Sequence, residues 1–129
     1  MIVVDASALL EVLLRTPAAR HVDRVIFASG ETLHAPHLID LEVAQVLRRY
    51  VRSSIISAER GAEALTDLAD FPLTRYPHLV LLSRIWQLRG GVTAYDAAYL
   101  ALAEVLDARL VTRDRALARA GSHARVEVI

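Results

Sequence analysis

Four carboxylates in this sequence have the type and placement to do chemistry together: Asp5, Glu42, Asp96 and Asp114. Asp5 directly follows Ile2-Val-Val4, an apolar, β-branched run that reads as a buried strand. Asp114 lies two residues beyond a second such run, Leu110-Val-Thr112. Ligands of open parallel sheets bind in the crevice outside the carboxyl ends of the strands, so two acids at matching strand ends point to one site. Glu42 falls between Leu38, Ile39 and Val46 on a helical wheel, inside the apolar stripe of its helix. A carboxylate facing the core is costly unless it is paired or binds a metal. Asp96 stands third after Thr93, at the start of a helix apolar nearly all round, where it points toward the mouth of the sheet.

Each acid also has a structural reading. Asp5 and Asp114 suit strand-to-helix corners, where aspartate is common as a cap or turn residue. Glu42 can form a salt bridge with Arg49, two turns along the same helix. Thr93-Ala-Tyr-Asp96 resembles a capping box with aspartate in place of glutamate. Asp40, in the first turns after Pro36, is read only as a complement to the helix dipole. Four acids converging on one point repel one another unless a cation lies between them. A hard divalent ion, magnesium or manganese, suits carboxylate and water oxygens. Such an ion activates water and offsets charge on a phosphoryl oxygen, which is the chemistry of many nucleases.

Composition removes most other chemistries. The chain has no cysteine, hence no disulfide, thiolate nucleophile or zinc–cysteine site. All of its basic residues other than histidine are arginine, which leaves no P-loop or Schiff-base lysine, and it has no asparagine for an amide-containing triad. His21, His34, His37, His78 and His123 show no HExxH or similar spacing, and none is assigned a role. The arginine bias is that of GC-rich bacterial coding, and it is compatible with binding phosphate through the bidentate guanidinium.

The elements that must position these acids are short strands alternating with helices. Beyond Ile2–Val4, the pattern predicts a helix from Ala8 to about Arg15 capped by Ser7, and a second from Pro17 to about Ala28. A strand over 32–35 precedes a long helix that Pro36 opens, running to about Arg52. Ser57 caps the next helix, 73–75 forms a brief strand, and Pro77 begins another helix. Gly90-Gly91 breaks the chain before the helix that Thr93 starts. After Leu110–Thr112 come a short helix over 115–120 and a closing strand, 126–129. Such alternation indicates an α/β fold, a three-layer α/β/α arrangement around a short central parallel sheet. With 129 residues, 54% of them hydrophobic, the chain is read as one domain spanning 1–129. No apolar stretch approaches the roughly 18 residues of a membrane span, and Met1–Asp5 does not read as a signal peptide. A cytoplasmic protein is therefore expected.

At this point the residues carry a resemblance over essentially the whole length, to the VapC toxins of the PIN-domain superfamily. Ile2-Val-Val-Asp5-Ala-Ser7-Ala-Leu9 is similar to that family's first strand and acid. The segment Ala35-Pro36 through Glu42-Val43-Ala-Gln-Val-Leu47 resembles its second-acid helix. Tyr95-Asp96-Ala-Ala-Tyr99 and Leu110-Val-Thr112-Arg-Asp114 resemble the third and fourth acids. Each piece is weak alone; all four, in order and at these separations, are specific. The resemblance implies a magnesium- or manganese-dependent endoribonuclease with Asp5, Glu42, Asp96 and Asp114 as catalytic and metal-binding residues. By the same analogy Ser7 and Thr112 support water molecules or position acids. It further implies RNA as substrate, a VapB-type antitoxin as partner and a homodimer of the toxin. Arg48, Arg49 and Arg52 suit either RNA phosphates or a solvated helix end.

Two rivals remain open. Another carboxylate–metal phosphoryl-transfer domain would share the strand-end acids, although a receiver relies on a lysine and a phosphatase favours Asp-x-Asp, where this chain has Ser7 two residues after Asp5. A catalytically inactive interaction module with the same fold would leave at least one of the four acids in solvent or in a salt bridge.

Overall fold

The computed structural model describes all residues, 1–129. Five strands, β1 (Ile2–Val4), β2 (Leu33–Pro36), β3 (Leu73–Tyr76), β4 (Arg109–Thr112) and β5 (Arg125–Val128), form one sheet in the order β3-β2-β1-β4-β5. Every pairing is parallel, as Ile2 with Leu33 and Val3 with Leu110 illustrate. β1 and β2 are buried along their whole length, and only the first residue of β4 is partly open. Strands covered on both faces read as continuous apolar runs, as β1 does; β2 is interrupted by His34, whose ring nitrogens are bonded to Thr32 and Tyr76. The edge strands β3 and β5 are only partly buried.

Six helices cover the sheet: α1 (Ala6–Leu13), α2 (Ala19–Ile26), α3 (Leu38–Arg52), α4 (Ala58–Asp70), α5 (Leu82–Gln87) and α6 (Ala94–Leu106). The chain runs outward from β1 to β2 to β3, then crosses back over the sheet to β4. Right-handed crossovers place the helices of the outward run on one face and those of the return on the other. The packing agrees: α1, α3 and α4 touch one another, and α6 lies across β1, β2 and β4 with α5 against it. Residues Ala97 to Ala103 of α6 are all buried, in line with the helix's uniformly apolar sequence. Small side chains dominate that stretch and let the helix sit close to the sheet. No helix is long and apolar enough to cross a membrane.

The boundaries differ from the sequence expectation in instructive places. α1 begins at Ala6 and is capped by Asp5, whose side chain accepts from Ala8 N, so Ser7 is not the cap. Pro36 ends β2 rather than opening α3; at the last position of a strand its missing N–H costs the ladder nothing. α2 spans only Ala19–Ile26, with Pro17 outside it. Pro77 is followed by a 3-10 turn, Leu79–Leu81, before α5, and residues Arg115–Arg119 are 3-10 rather than α-helical. Thr93 and Ser57 cap their helices as expected, accepting from Asp96 N at 3.1 Å and Arg60 N at 3.0 Å.

Candidate active site

The strand order reverses between β1 and β4, the two neighbours reached by connections running in opposite directions. Loops leaving such a pair diverge to opposite faces and open a crevice between them. Asp5 leaves β1 and Asp114 follows β4, so both stand at this switch point. Glu42 reaches it from the second turn of α3, and Asp96 from the first turn of α6. All four line one cleft of about 720 Å³, together with Ser7 and Tyr99.

Asp5 is the most firmly held. It is only 7% exposed, and both of its oxygens are occupied by donors. Oδ1 accepts from Ser7 Oγ at 2.6 Å and from Ala8 N at 3.1 Å, while Oδ2 accepts from Thr112 Oγ1 at 2.5 Å. Those hydroxyls have second duties: Ser7 Oγ accepts from Arg113 N at 2.9 Å and Thr112 Oγ1 from Asp114 N at 2.9 Å. Ser7, Thr112 and Asp5 thus stitch the ends of β1 and β4 together. Burial pushes the Asp5 carboxyl above its ordinary pKa despite these bonds, and the Asp114 charge pushes the same way.

Glu42 accepts a hydrogen bond of 2.6 Å from the Tyr99 hydroxyl and forms no salt bridge with Arg49. Burial raises its pKa most; Tyr99 opposes the rise, and the charges of Asp96 and Asp5 add to it. Asp96 is likewise raised, by burial and then by Asp114 and Asp5. Asp114 caps the 3-10 turn through Oδ1, which accepts from Ala116 N at 2.9 Å. The four groups therefore share one electrostatic field, and none of them pairs with an arginine. Asp40, by contrast, takes Arg75 Nε at 2.8 and 2.9 Å and belongs to the scaffold.

The donor set suits a hard cation. Glu42 Oε2 and Asp114 Oδ2 accept no hydrogen bond, and all of the ligand atoms offered are oxygen. The side chains do not already form a closed cage: no three His, Asp or Glu residues stand in ligating geometry as they are.

Sequence reasoning missed Tyr99, which it read only as part of an apolar helix. It is 1% exposed, and a buried tyrosine hydroxyl needs a partner. Its position three residues after Asp96, on the same side of α6, was the available signal. Arg49 lines the cleft with Arg113, but Arg48 and Arg52 do not.

A family model of the PIN domain matches residues 2–122. Ribonuclease VapC9 of Mycobacterium tuberculosis is 45% identical over 121 residues, covering 94% of this chain and 91% of its own. The chain belongs to the VapC family of PIN-domain ribonucleases. Ribonuclease VapC12 of the same organism is 40% identical over 130 residues, 100% of this chain and 99% of that one. The crystal structure of VapBC2 from Rickettsia felis, bound to a DNA fragment from their promoter, matches with a TM-score of 0.73 over 98% of each chain. At 15% identity that likeness shows the fold. As a VapC ribonuclease, the chain is the toxin of a toxin–antitoxin pair.

Proposed function

We propose that the cleft at the β1–β4 switch point is where this VapC chain hydrolyses RNA phosphodiester bonds, with Asp5, Glu42, Asp96 and Asp114 holding magnesium or manganese. The observation that carries the reading is that four acids from separate elements face one cleft, unpaired with any arginine, and burial and mutual charge raise Asp5, Glu42 and Asp96. When bound, the cation lowers the pKa of water and offsets charge on the phosphoryl oxygens. Asp5, immobilised by three donors, sets where the ligands meet. Ser7 and Thr112 are positioning residues that act through Asp5 and through the backbone of Arg113 and Asp114. Glu42 and Asp96, whose pKa values are raised first by burial and then by the neighbouring carboxylates, complete the ligand set with Asp114, and a cation between them would relieve that mutual repulsion. An inactive interaction module predicts at least one acid in a salt bridge or in open solvent; none of the four is salt-bridged, and Asp114, the one exposed acid, still lines the cleft with the other three.

The same reading assigns a VapB-type antitoxin whose basic side chains enter the acidic cleft and compete with the cation. It also assigns a toxin homodimer; the exposed apolar side chains Leu79, Val80, Leu82 and Trp86, on the 3-10 turn and α5, offer a surface for one.

The deciding experiment uses purified protein and total RNA, with and without magnesium. Cleavage should need the metal and stop on chelation. Asp5→Asn, equal in shape but without charge, should melt as a folded protein and lose most activity. Full activity in excess chelator overturns the mechanism, and full activity of the variant removes Asp5 from it.

A further inference from the structure

A neutral protein whose catalytic cleft is acidic faces a difficulty with RNA, because the ligands of the cation also repel the substrate's backbone. Field at the mouth of the site, rather than net charge, must then bring the polyanion in. Beside the acid cleft lies a second cavity, of about 560 Å³, and it is basic: Arg113, Arg115 and Arg119 line it with Ala118, Val128 and Ile129. Arg113 lines both cavities, and Asp114, the next residue, lines the acid cleft. The two sites are therefore contiguous along the backbone. Residues 113 and 115 are separated by at most about 7 Å of extended chain, so one bending strand can reach from one cavity into the other.

The three arginines are unequally occupied. Arg113 donates from Nη1 to the main-chain oxygen of Ile129 at 2.6 Å, and its Nε lies 3.5 Å from Glu11 Oε1. Arg115 and Arg119 make no side-chain hydrogen bond and no ion pair, unlike Arg75, Arg84 and Arg109, each held by a carboxylate. No acidic side chain lines the cavity; the main chain of Ile129 also forms part of its wall and is held by Arg113, which leaves Arg115 and Arg119 free. Ala118 between the two free guanidiniums leaves room for a ligand, and an arginine fork fits phosphate oxygens bidentately.

We propose that the cavity between β5 and the 115–119 turn is a phosphate-binding subsite, taking the substrate strand's backbone beside the bond that is cut. Arg115 and Arg119 contact non-bridging phosphate oxygens, and Arg113 marks the passage from subsite to acid cleft. The proposal rests on the reading of that cleft as the cleavage site. It makes the enzyme a reader of a flexible single strand, whose backbone can bend from one cavity into the other.

The test measures binding of a fluorescein-labelled single-stranded RNA 12-mer to Asp5→Asn protein, with and without Arg115→Gln/Arg119→Gln, as salt is raised. A control carries Arg20→Gln/Arg24→Gln, two ion-pair-free arginines on α2 that line neither cavity. Losing two phosphate contacts on a single strand should make the slope of log affinity against log salt shallower by about 1.4. Between 50 and 200 mM salt, affinity should then fall about sevenfold less in the pocket variant than in its parent. In the otherwise wild-type enzyme the same pair should raise KM for cleavage and leave kcat nearly unaltered. Both arginine side chains are solvent-exposed and unbonded, so melting temperature should not move. An unaltered slope, or an equal change from the α2 control, overturns the subsite. Cleavage by Asp5→Asn protein would instead count against the metal-centre reading, and the slope still decides the subsite.

Discussion

Tyr99→Phe tests the cleft without touching a proposed ligand. The hydroxyl removed is a 2.6 Å donor to Glu42 Oε1 from a side chain that is 1% exposed. Burial and the nearby acids hold that hydroxyl's pKa far above its ordinary value, so it stays protonated and acts as a donor at every working pH. A hydrogen bond to a charged partner contributes about 1.5–3 kcal/mol, and loss of a residue that orients a metal ligand typically weakens metal binding about 10–100-fold. The two ranges agree, since a tenfold change corresponds to about 1.4 kcal/mol. At a magnesium concentration one hundred times the wild-type dissociation constant, bound metal stabilises the folded protein by about 2.7 kcal/mol. A tenfold weaker site gains about 1.4 kcal/mol at that same concentration, and a hundredfold weaker one about 0.4.

Metal-free protein should respond much less. Glu42 without its donor has a pKa raised further and can take up a proton, and water can reach a half-buried carboxylate to replace the lost bond. The prediction is therefore a specific pattern: a small change in the metal-free melt, a halved or smaller magnesium shift, and cleavage that recovers at high magnesium. Thermal melts across a magnesium titration, beside cleavage rates over the same range, supply all three. If the variant's magnesium response equals wild type, the Tyr99–Glu42 bond is only scaffold, and Glu42 is not a ligand.

The remaining expectations concern charge and partner. Asp5, Glu42 and Asp96 are raised by burial first and by neighbouring carboxylates after it, so metal-free protein gains stability from their protonated forms below ordinary carboxylate pKa values and loses it as pH rises through the raised ones. Asp96→Asn should flatten that loss and shrink the magnesium shift in melts at two pH values; an equal magnesium shift in variant and wild type leaves Asp96 as a cap alone. Glu104 behaves oppositely: hydrogen bonds from Arg84 at 2.7 and 3.0 Å lead the causes that lower its pKa to about 2, so its contribution is present above ordinary carboxylate values and disappears as pH falls toward 2. Glu104→Gln should cost about 1.5–3 kcal/mol at neutral pH, read by urea denaturation, with the deficit narrowing in acid. Expression of the chain alone should slow bacterial growth and coexpression of the adjacent small gene should restore it; harmless expression of an enzyme that is active when purified contradicts the toxin assignment.

What was legible in the sequence depended on range. The carboxyl ends of β1 and β4, the buried α6 and the Thr93 cap follow from runs of a few residues and stand as read, whereas β2, β3 and β5 end one residue from where the pattern puts them. Ser7 does not. Asp5 and Ser7 are both good helix caps, and local propensity favours neither; the choice is made by Arg113 N, 106 residues away, which takes the Ser7 hydroxyl. Glu42 was recognised as a carboxylate out of place, but its partner was sought on its own helix. The actual donor, Tyr99, is 57 residues distant and meets it only because α3 and α6 flank the same switch point. The 115–119 segment, helical in pattern, is 3-10, and its arginines line a cavity because β5, the next strand in the chain, packs against it.

The unequal provision of donors among the four acids argues for a division of labour. Asp5 has three donors and is nearly enclosed, so its carboxylate stays in one place whatever occupies the cleft. Glu42 has one, Asp114 spends one oxygen on its own turn, and Asp96 is eased only by the hydroxyl of its cap, Thr93. Rotating any of these three toward a cation costs at most one hydrogen bond, against three for moving Asp5. Substrate-driven adjustment therefore belongs on the α3 and α6 side of the cleft, while the β1–β4 side acts as a fixed wall. The ordering has a consequence for Thr112. It is fully buried, and its hydroxyl serves Asp5 and Asp114 N at once. Thr112→Val keeps the shape but leaves Asp5 short of a donor and Asp114 N without an acceptor. The wall itself then loosens, and added magnesium cannot repair a hydrogen bond that it never made.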